Sequence, residues 1–205
     1  FRLWPYQVDF INWIEARFRE GRDALVEKSR DMGATWCALA WLTHHWVFEE
    51  SFQALIGSRK EDLVDNWEMD SLYGRLDYLV QHLPGWMQPP HHRQHLKLAR
   101  EDAQSAIIGE SANRDFSRQG RYNAIVLDEF AFWEWARSVW RATADATHFR
   151  LAISTPNPLG GDFFREERHS GRPAVWTLHW RKHPNKDDRW YEAEWHPPFS
   201  APAEL

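Results

Sequence analysis

Apolar side chains recur at helical spacing through residues 5–19, where Tyr6, Phe10, Trp13, Ile14 and Phe18 fall on one stripe. Proline suits the first helical position, because the N–H it lacks has no intrahelical partner there. Gly21 supplies the stop. A short apolar piece, Ala24-Leu25-Val26, runs into a polar stretch at 28–35. Helical spacing resumes from Thr35 to Phe48, with Trp36, Leu39, Ala40, Thr43 and Val47 on one face. Residues 52–57 pattern as a buried strand. Residues 61–83 are expected to form one long helix facing inward through Leu63, Val64, Trp67, Leu72, Leu76, Leu79, Val80 and Leu83, stopped by Pro84-Gly85. Prolines 84, 89 and 90 make 84–95 a loop. Residues 96–99 and 105–109 read as a hairpin around Arg100-Glu101-Asp102. Apolar strands follow at 124–127 and 151–153. The first ends in Asp128-Glu129 and the second in Ser154-Thr155-Pro156-Asn157. A last strand spans 175–180, and the tail from His196 to Pro202 reads as a linker or frayed end. No internal repeat or low-complexity tract interrupts this order.

Apolar strands alternating with helices predict an α/β fold, a mainly parallel sheet with helices on both faces. Ligands of such sheets sit at the carboxyl ends of the strands. Three of those ends carry polar clusters, at 28–35, 128–129 and 154–157, and their convergence is the main structural argument for one site.

Composition narrows the field. With 43% apolar and 27% charged residues the chain reads as an ordinary globular protein. It has no apolar run of the roughly 18 residues a membrane span needs, so no membrane partner is expected. The chain starts at Phe1, without a basic-then-apolar leader; this predicts a fragment without a signal peptide. The single cysteine, Cys37, excludes an internal disulfide framework and suits a reducing compartment. A formal net charge of −5 means that any contact with nucleic acid must be local or supplied by a partner. The 14 tryptophans are read mainly as core and subunit-contact residues, with base stacking as the alternative.

The polar stretch carries the first candidate chemistry. A standard phosphate loop reads G-x-x-x-x-G-K-S/T between a strand and a helix. Here the frame is Lys28-Ser29-Arg30-Asp31-Met32-Gly33-Ala34-Thr35. It keeps the second glycine and the hydroxyl that would bind Mg²⁺, and has Ala34 where the usual lysine stands. Backbone N–H groups and the helix amino end would hold phosphate oxygens. A cation is still needed near the β- and γ-phosphates, and Lys28 or Arg30 could supply it. The plain alternative is a strand-to-helix turn with solvated Lys and Arg. At the acidic strand end, Asp128 would hold Mg²⁺ and Glu129 would act as general base on the attacking water. Ser154 and Thr155 could sense the γ-phosphate, or simply make a turn with Pro156 and Asn157. Gln7 could read an adenine edge with Tyr6 stacking nearby, unless both are routine helix-surface residues. Among Arg114, Arg118 and Arg121, either Arg118 or Arg121 is the favoured arginine finger, in cis or across a subunit boundary; the alternative is a solvated basic loop. His44-His45 and His91-His92 with His95 lack a second ligand cluster, so no structural zinc is expected.

Taken in order, Tyr-Gln, K-S-R-D-M-G-A-T-W, a hairpin, R-x-x-G-R before I-V-L-D-E-F, and S-T-P-N resemble the amino-terminal ATPase domain of the large terminase subunit of tailed bacteriophages. The likeness covers nearly the whole chain. It implies a three-layer phosphate-loop ATPase core of the additional-strand, catalytic-glutamate type, in which the lysine often moves to the start of the loop, as Lys28 does. By the same resemblance, ATP hydrolysis would drive double-stranded DNA through a portal into a procapsid. ATP and Mg²⁺ would be the cofactors. The partners would be the DNA, the portal protein, the small terminase subunit and sister copies in a ring, expected to be a pentamer. Location would be the host cytoplasm, transiently at the procapsid portal, and not as a stable virion component. Tyr6, Gln7 and residues 28–36, ending in Trp36, would line the ATP site. Thr35 and Asp128 would serve the metal, Glu129 hydrolysis, and Ser154 with Thr155 coupling. Asp31 departs from the glutamine common in the family, and is expected to turn from the nucleotide or pair with an arginine. The chain is read as a single ATPase domain. Its core is placed at about 1–170, with the last strand and the start of a linker subdomain at 171–205. The nuclease domain such proteins carry is expected to be absent from this chain. A helicase-like or repair DNA-dependent ATPase shares the core, but such proteins usually keep the loop lysine that Ala34 replaces.

Overall fold

The computed structural model describes residues 2–113, 115–117 and 120–195, excluding the side chains of the last three. The elements in chain order are α1 (Pro5–Arg19), β1 (Ala24–Lys28), α2 (Ala34–Phe48), β2 (Gln53–Ser58), α3 (Glu61–Val64), α4 (Leu72–Gln81), β3 (His92–Gln94), β4 (Lys97–Arg100), β5 (Ser105–Ser111), β6 (Ala124–Asp128), α5 (Ala136–Ala142), β7 (Arg150–Ser154), α6 (Asp162–His169), β8 (Ala174–Leu178) and α7 (Asp188–Trp195). Among the described residues, eight strands form one sheet in the order β3-β4-β5-β2-β6-β7-β1-β8. The run from β5 to β8 is parallel, and β4 and β3 add an antiparallel edge. The last strand therefore sits in the main sheet, paired with β1.

Successive side chains of a strand point to opposite faces, and the core divides accordingly. Val26, Ile56, Val126, Leu151 and Ile153 pack under α1, α2 and α4. Leu25, Leu55, Ile125, Leu127 and Ala152 face the other way, against Phe130, Val139, Trp140 and Phe164. Strands buried on both sides explain the uninterrupted apolar runs of the sequence. Helix α2 is covered nearly all round, and its polar His45 is buried as well. Both ring nitrogens of His45 meet carboxylate oxygens, of Glu15 and Glu49, each at 2.8 Å. The one-sided face predicted for this segment is thus a feature of the sequence that the packing does not respect.

The single helix predicted over 61–83 is broken between Val64 and Leu72. Asp65 Oδ1 accepts the Trp67 N–H, Asn66 Oδ1 accepts the Glu68 N–H, and Ser71 Oγ accepts the Gly74 N–H. Such local side-chain bonds give the backbone an alternative to the helix. Asp65 turns inward instead, its side chain fully buried against Arg93. Trp67, expected inside, is 58% exposed. The loop folds back so closely on α4 that a Cβ on Gly74 would lie 1.9 Å from the Glu68 carbonyl oxygen. The predicted loop 84–95 ends in β3, which pairs with β4 once the prolines are past. Helices α5, α6 and α7 have no counterpart in the sequence pattern. Each has eight residues or fewer, too short for a period to stand out.

Candidate active site

Strand β1 delivers Lys28 to its carboxyl end, and β6, two strands away, delivers Asp128. Between β1 and α2 the chain turns through Gly33 at φ 72°, a left-handed conformation natural to glycine. A Cβ there would also lie 2.6 Å from Gln7 Nε2. The loop is braced from both sides. Tyr6 Oη and Gln7 Nε2 donate to the Met32 carbonyl at 3.1 and 3.4 Å. Ser29 donates its N–H to the Leu178 carbonyl and accepts the Trp180 N–H on Oγ. Lys186 Nζ donates to the Arg30 carbonyl at 2.6 Å. The residues that open α2 line the cleft, and amide groups at a helix amino end attract anions.

After Asp128 the backbone turns sharply, with Glu129 itself left-handed at φ 52°. Trp133 Nε1 donates to the Asp128 carbonyl at 2.9 Å, and the Ala131 N–H donates to Ser154 Oγ at 3.1 Å. Two side-chain pairs then join loop and acidic strand. Lys28 Nζ lies 3.1 Å from Glu129 Oε1, and Thr35 Oγ1 donates to Asp128 Oδ1 at 3.0 Å. These groups face a cleft of about 530 Å³, large enough for a small ligand. Burial pushes the Asp128 carboxyl up to about 6, reinforced by the neighbouring Glu129 charge and opposed by Lys28, the Thr35 hydroxyl and Arg75.

Of the residues singled out from sequence, Lys28, Arg30 to Trp36, Asp128, Glu129 and Thr155 line the cleft. Tyr6, Gln7 and Ser29 hold the loop from outside it. Ser154 is fully buried and fixes the turn after Glu129. Asp31 is exposed, and its charge acts on His183. Arg121 precedes β6 at its amino end, and does not line this cleft. Arg114 and Arg118 lie outside the described residues, as does the predicted tail from His196. The structure adds Arg59, Asp70, Arg75 and Phe132 to the cleft wall. Arg59 carries a signal in the sequence, since it follows a buried strand at its carboxyl end. Arg75 carries none, because an unbroken helix through 61–83 would leave it solvated.

The donor set fits a magnesium nucleotide. Asp128 and Thr35 offer hard oxygens, and a buried carboxyl driven up by desolvation is the group a divalent cation restores to its charged form. Among the described residues no cluster of three or more His, Cys, Asp or Glu side chains forms a metal site by itself. Magnesium is commonly held by one or two protein groups together with phosphates and water.

No family model and no characterised protein matches the chain by sequence. Solved structures do match its fold. The large terminase ATPase domain of a Thermus phage superposes with a TM-score of 0.61 at 19% identity, covering 96% of this chain and 95% of that one. The large terminase of a thermophilic bacteriophage in complex with ADP gives 0.65 at 10% identity, covering 94% of this chain and 49% of that one. The SWI2/SNF2 ATPase core of Sulfolobus solfataricus in complex with double-stranded DNA gives 0.57 at 15% identity, covering 88% and 45%. This chain thus spans about half the length of the last two. The α/β architecture is that of terminase and SWI2/SNF2 ATPase domains.

Proposed function

We propose that the chain is the ATPase domain of a DNA-packaging motor, hydrolysing ATP to move double-stranded DNA into a procapsid. The observation that carries this reading is the pair of contacts joining the deviant loop to the acidic strand, Lys28 to Glu129 and Thr35 to Asp128. Magnesium, when bound, would neutralise charge building on the phosphoryl oxygens. The α2 amides and Lys28 would hold the phosphates, and Thr35 and Asp128 the metal. Glu129 would take the proton of the attacking water. Because Lys28 holds Glu129 in the present arrangement, phosphates that draw Lys28 away would free the carboxylate for that role. Thr155, on the cleft wall, and Ser154, under the Glu129 turn, would relay phosphate loss to β7. An arginine finger from Arg118, or from Arg121 across a subunit boundary, would complete the site in a ring of copies. The portal protein and the small terminase subunit are the remaining partners of this reading.

The test is ATP turnover with Mg²⁺ for the chain and for Glu129→Gln. Turnover should fall by about 10² to 10⁴ while nucleotide binding is retained. Unchanged turnover in Glu129→Gln would refute the assignment. The second reading, a helicase-like DNA-dependent ATPase, is favoured by the SWI2/SNF2 likeness. It predicts a second ATPase-like lobe in the full-length protein where the motor reading predicts a nuclease.

A further inference from the structure

The amino ends of β1 and β7 open onto a second pocket of about 510 Å³, close in size to the cleft at their carboxyl ends. Five-residue strands separate the two by roughly 16 Å. Five arginines line the pocket (Arg22, Arg137, Arg141, Arg150 and Arg172) against two carboxylates, Asp23 and Glu167. With Glu166, which pairs with Arg137, a formal +2 is concentrated here in a chain of net −5.

Three of the arginines are engaged. Arg150 pairs with Asp23 and lies 4.0 Å over the Trp140 ring. Arg137 pairs with Glu166 over Phe163, and Arg172 pairs with Glu167. Arg22 and Arg141 are exposed, and their side chains have no hydrogen bond or ion pair among the described residues. Two free guanidinium forks in one pocket suit phosphate oxygens. An acidic peptide would bring further carboxylates up to Asp23, Glu166 and Glu167. A nucleic acid brings phosphates, whose oxygens the paired N–H groups of a guanidinium meet two at a time.

We propose that this pocket grips the phosphate backbone of DNA, at the end of the sheet opposite the nucleotide cleft. Duplex DNA as the polymer rests on the motor reading; the preference for phosphate rests on the arginines.

The test is fluorescence anisotropy of a labelled DNA duplex with the wild-type chain and with Arg22→Gln/Arg141→Gln, alongside ATP turnover without DNA. Losing two phosphate contacts should weaken binding about 60-fold at about 0.1 M salt and reduce the salt slope by about 1.8. DNA-free turnover should stay unchanged. Equal affinity and slope in the two proteins, or no duplex binding by wild type at low salt, would overturn the pocket. ATP turnover would then still stand as support for the motor reading. Arginine-dependent binding by a chain that does not hydrolyse ATP would leave the pocket and remove the motor. Should circular dichroism show the double variant unfolded, Arg141→Gln alone should lose about 8-fold, and no loss there overturns the proposal equally.

Discussion

Asp128 is a carboxylate largely withdrawn from water at the cleft wall, and removing its charge should stabilise the nucleotide-free protein. Its carboxyl is pushed from an ordinary 3.8 to about 6, first by burial. A carboxyl raised in the folded state binds its proton more tightly folded than unfolded, so stability falls as pH climbs between those two values. The penalty is absent below about pH 4 and complete above about pH 6. The difference between the two values corresponds to about 3 kcal/mol. Asp128→Asn removes the charge and keeps the oxygen that accepts from Thr35. Its buried amide N–H costs about 1–3 kcal/mol where unpaired, leaving a net gain of up to about 2 kcal/mol at neutral pH. The assay is urea unfolding followed by tryptophan fluorescence, in EDTA without nucleotide, from about pH 4 to about pH 7.5. The gain should appear between about pH 4 and about pH 6 and then level off. A difference that does not vary with pH, or a variant less stable than wild type at neutral pH, would refute the reasoning. The same variant should lose Mg-dependent ATP turnover.

Lys28→Ala should lower ATP turnover by about 10² to 10³, measured by phosphate release, while the circular dichroism spectrum is retained. Arg93→Ala should destabilise the fold by about 3–5 kcal/mol in urea titrations, because Asp65 would keep a fully buried carboxylate without its partner. Burial pushes the Asp65 carboxyl up, yet the Arg93 hydrogen bonds and charge, with the Leu96 and Trp67 N–H groups, outweigh it and hold it below the usual range. The Arg93 contribution should therefore shrink as pH falls through that depressed value. Gly74→Ala should cost several kcal/mol, on the order of a large core substitution, since the added carbon meets backbone at 1.9 Å. A variant melting within a degree or two of wild type would show that the 65–71 loop is not held against α4 as described.

The parts of this fold legible in the sequence are those where one period dominates. Helix α1 agrees with its predicted span, and the strands ending at Asp128 and Ser154 announce themselves as apolar runs closed by polar residues. The loop between β1 and α2 is legible for the same reason. The break in 61–83 is hidden because Leu63, Val64, Leu72, Leu76 and Val80 keep a helical rhythm across it. What interrupts the helix is a set of Asp, Asn and Ser side chains bonding to nearby backbone, whose effect depends on Arg93 arriving from β3. Arg75 enters the cleft through that break, so its place there cannot be foreseen before the break is known. The inward bracing by Tyr6 and Gln7 is likewise invisible, because a polar residue at a helix edge gives no sign of which carbonyl it will meet.

Glu129 sits at a backbone angle that most residues with a side chain occupy at a cost of about 1 kcal/mol, that asparagine tolerates better and that glycine occupies freely. Glycine or asparagine at this position would relax the turn and remove the carboxylate together. Selection for heat resistance alone should therefore recover them, and, if Glu129 is the general base proposed above, each such gain would cost turnover. On the proposed reading, the position would set folding against turnover in a single torsion angle.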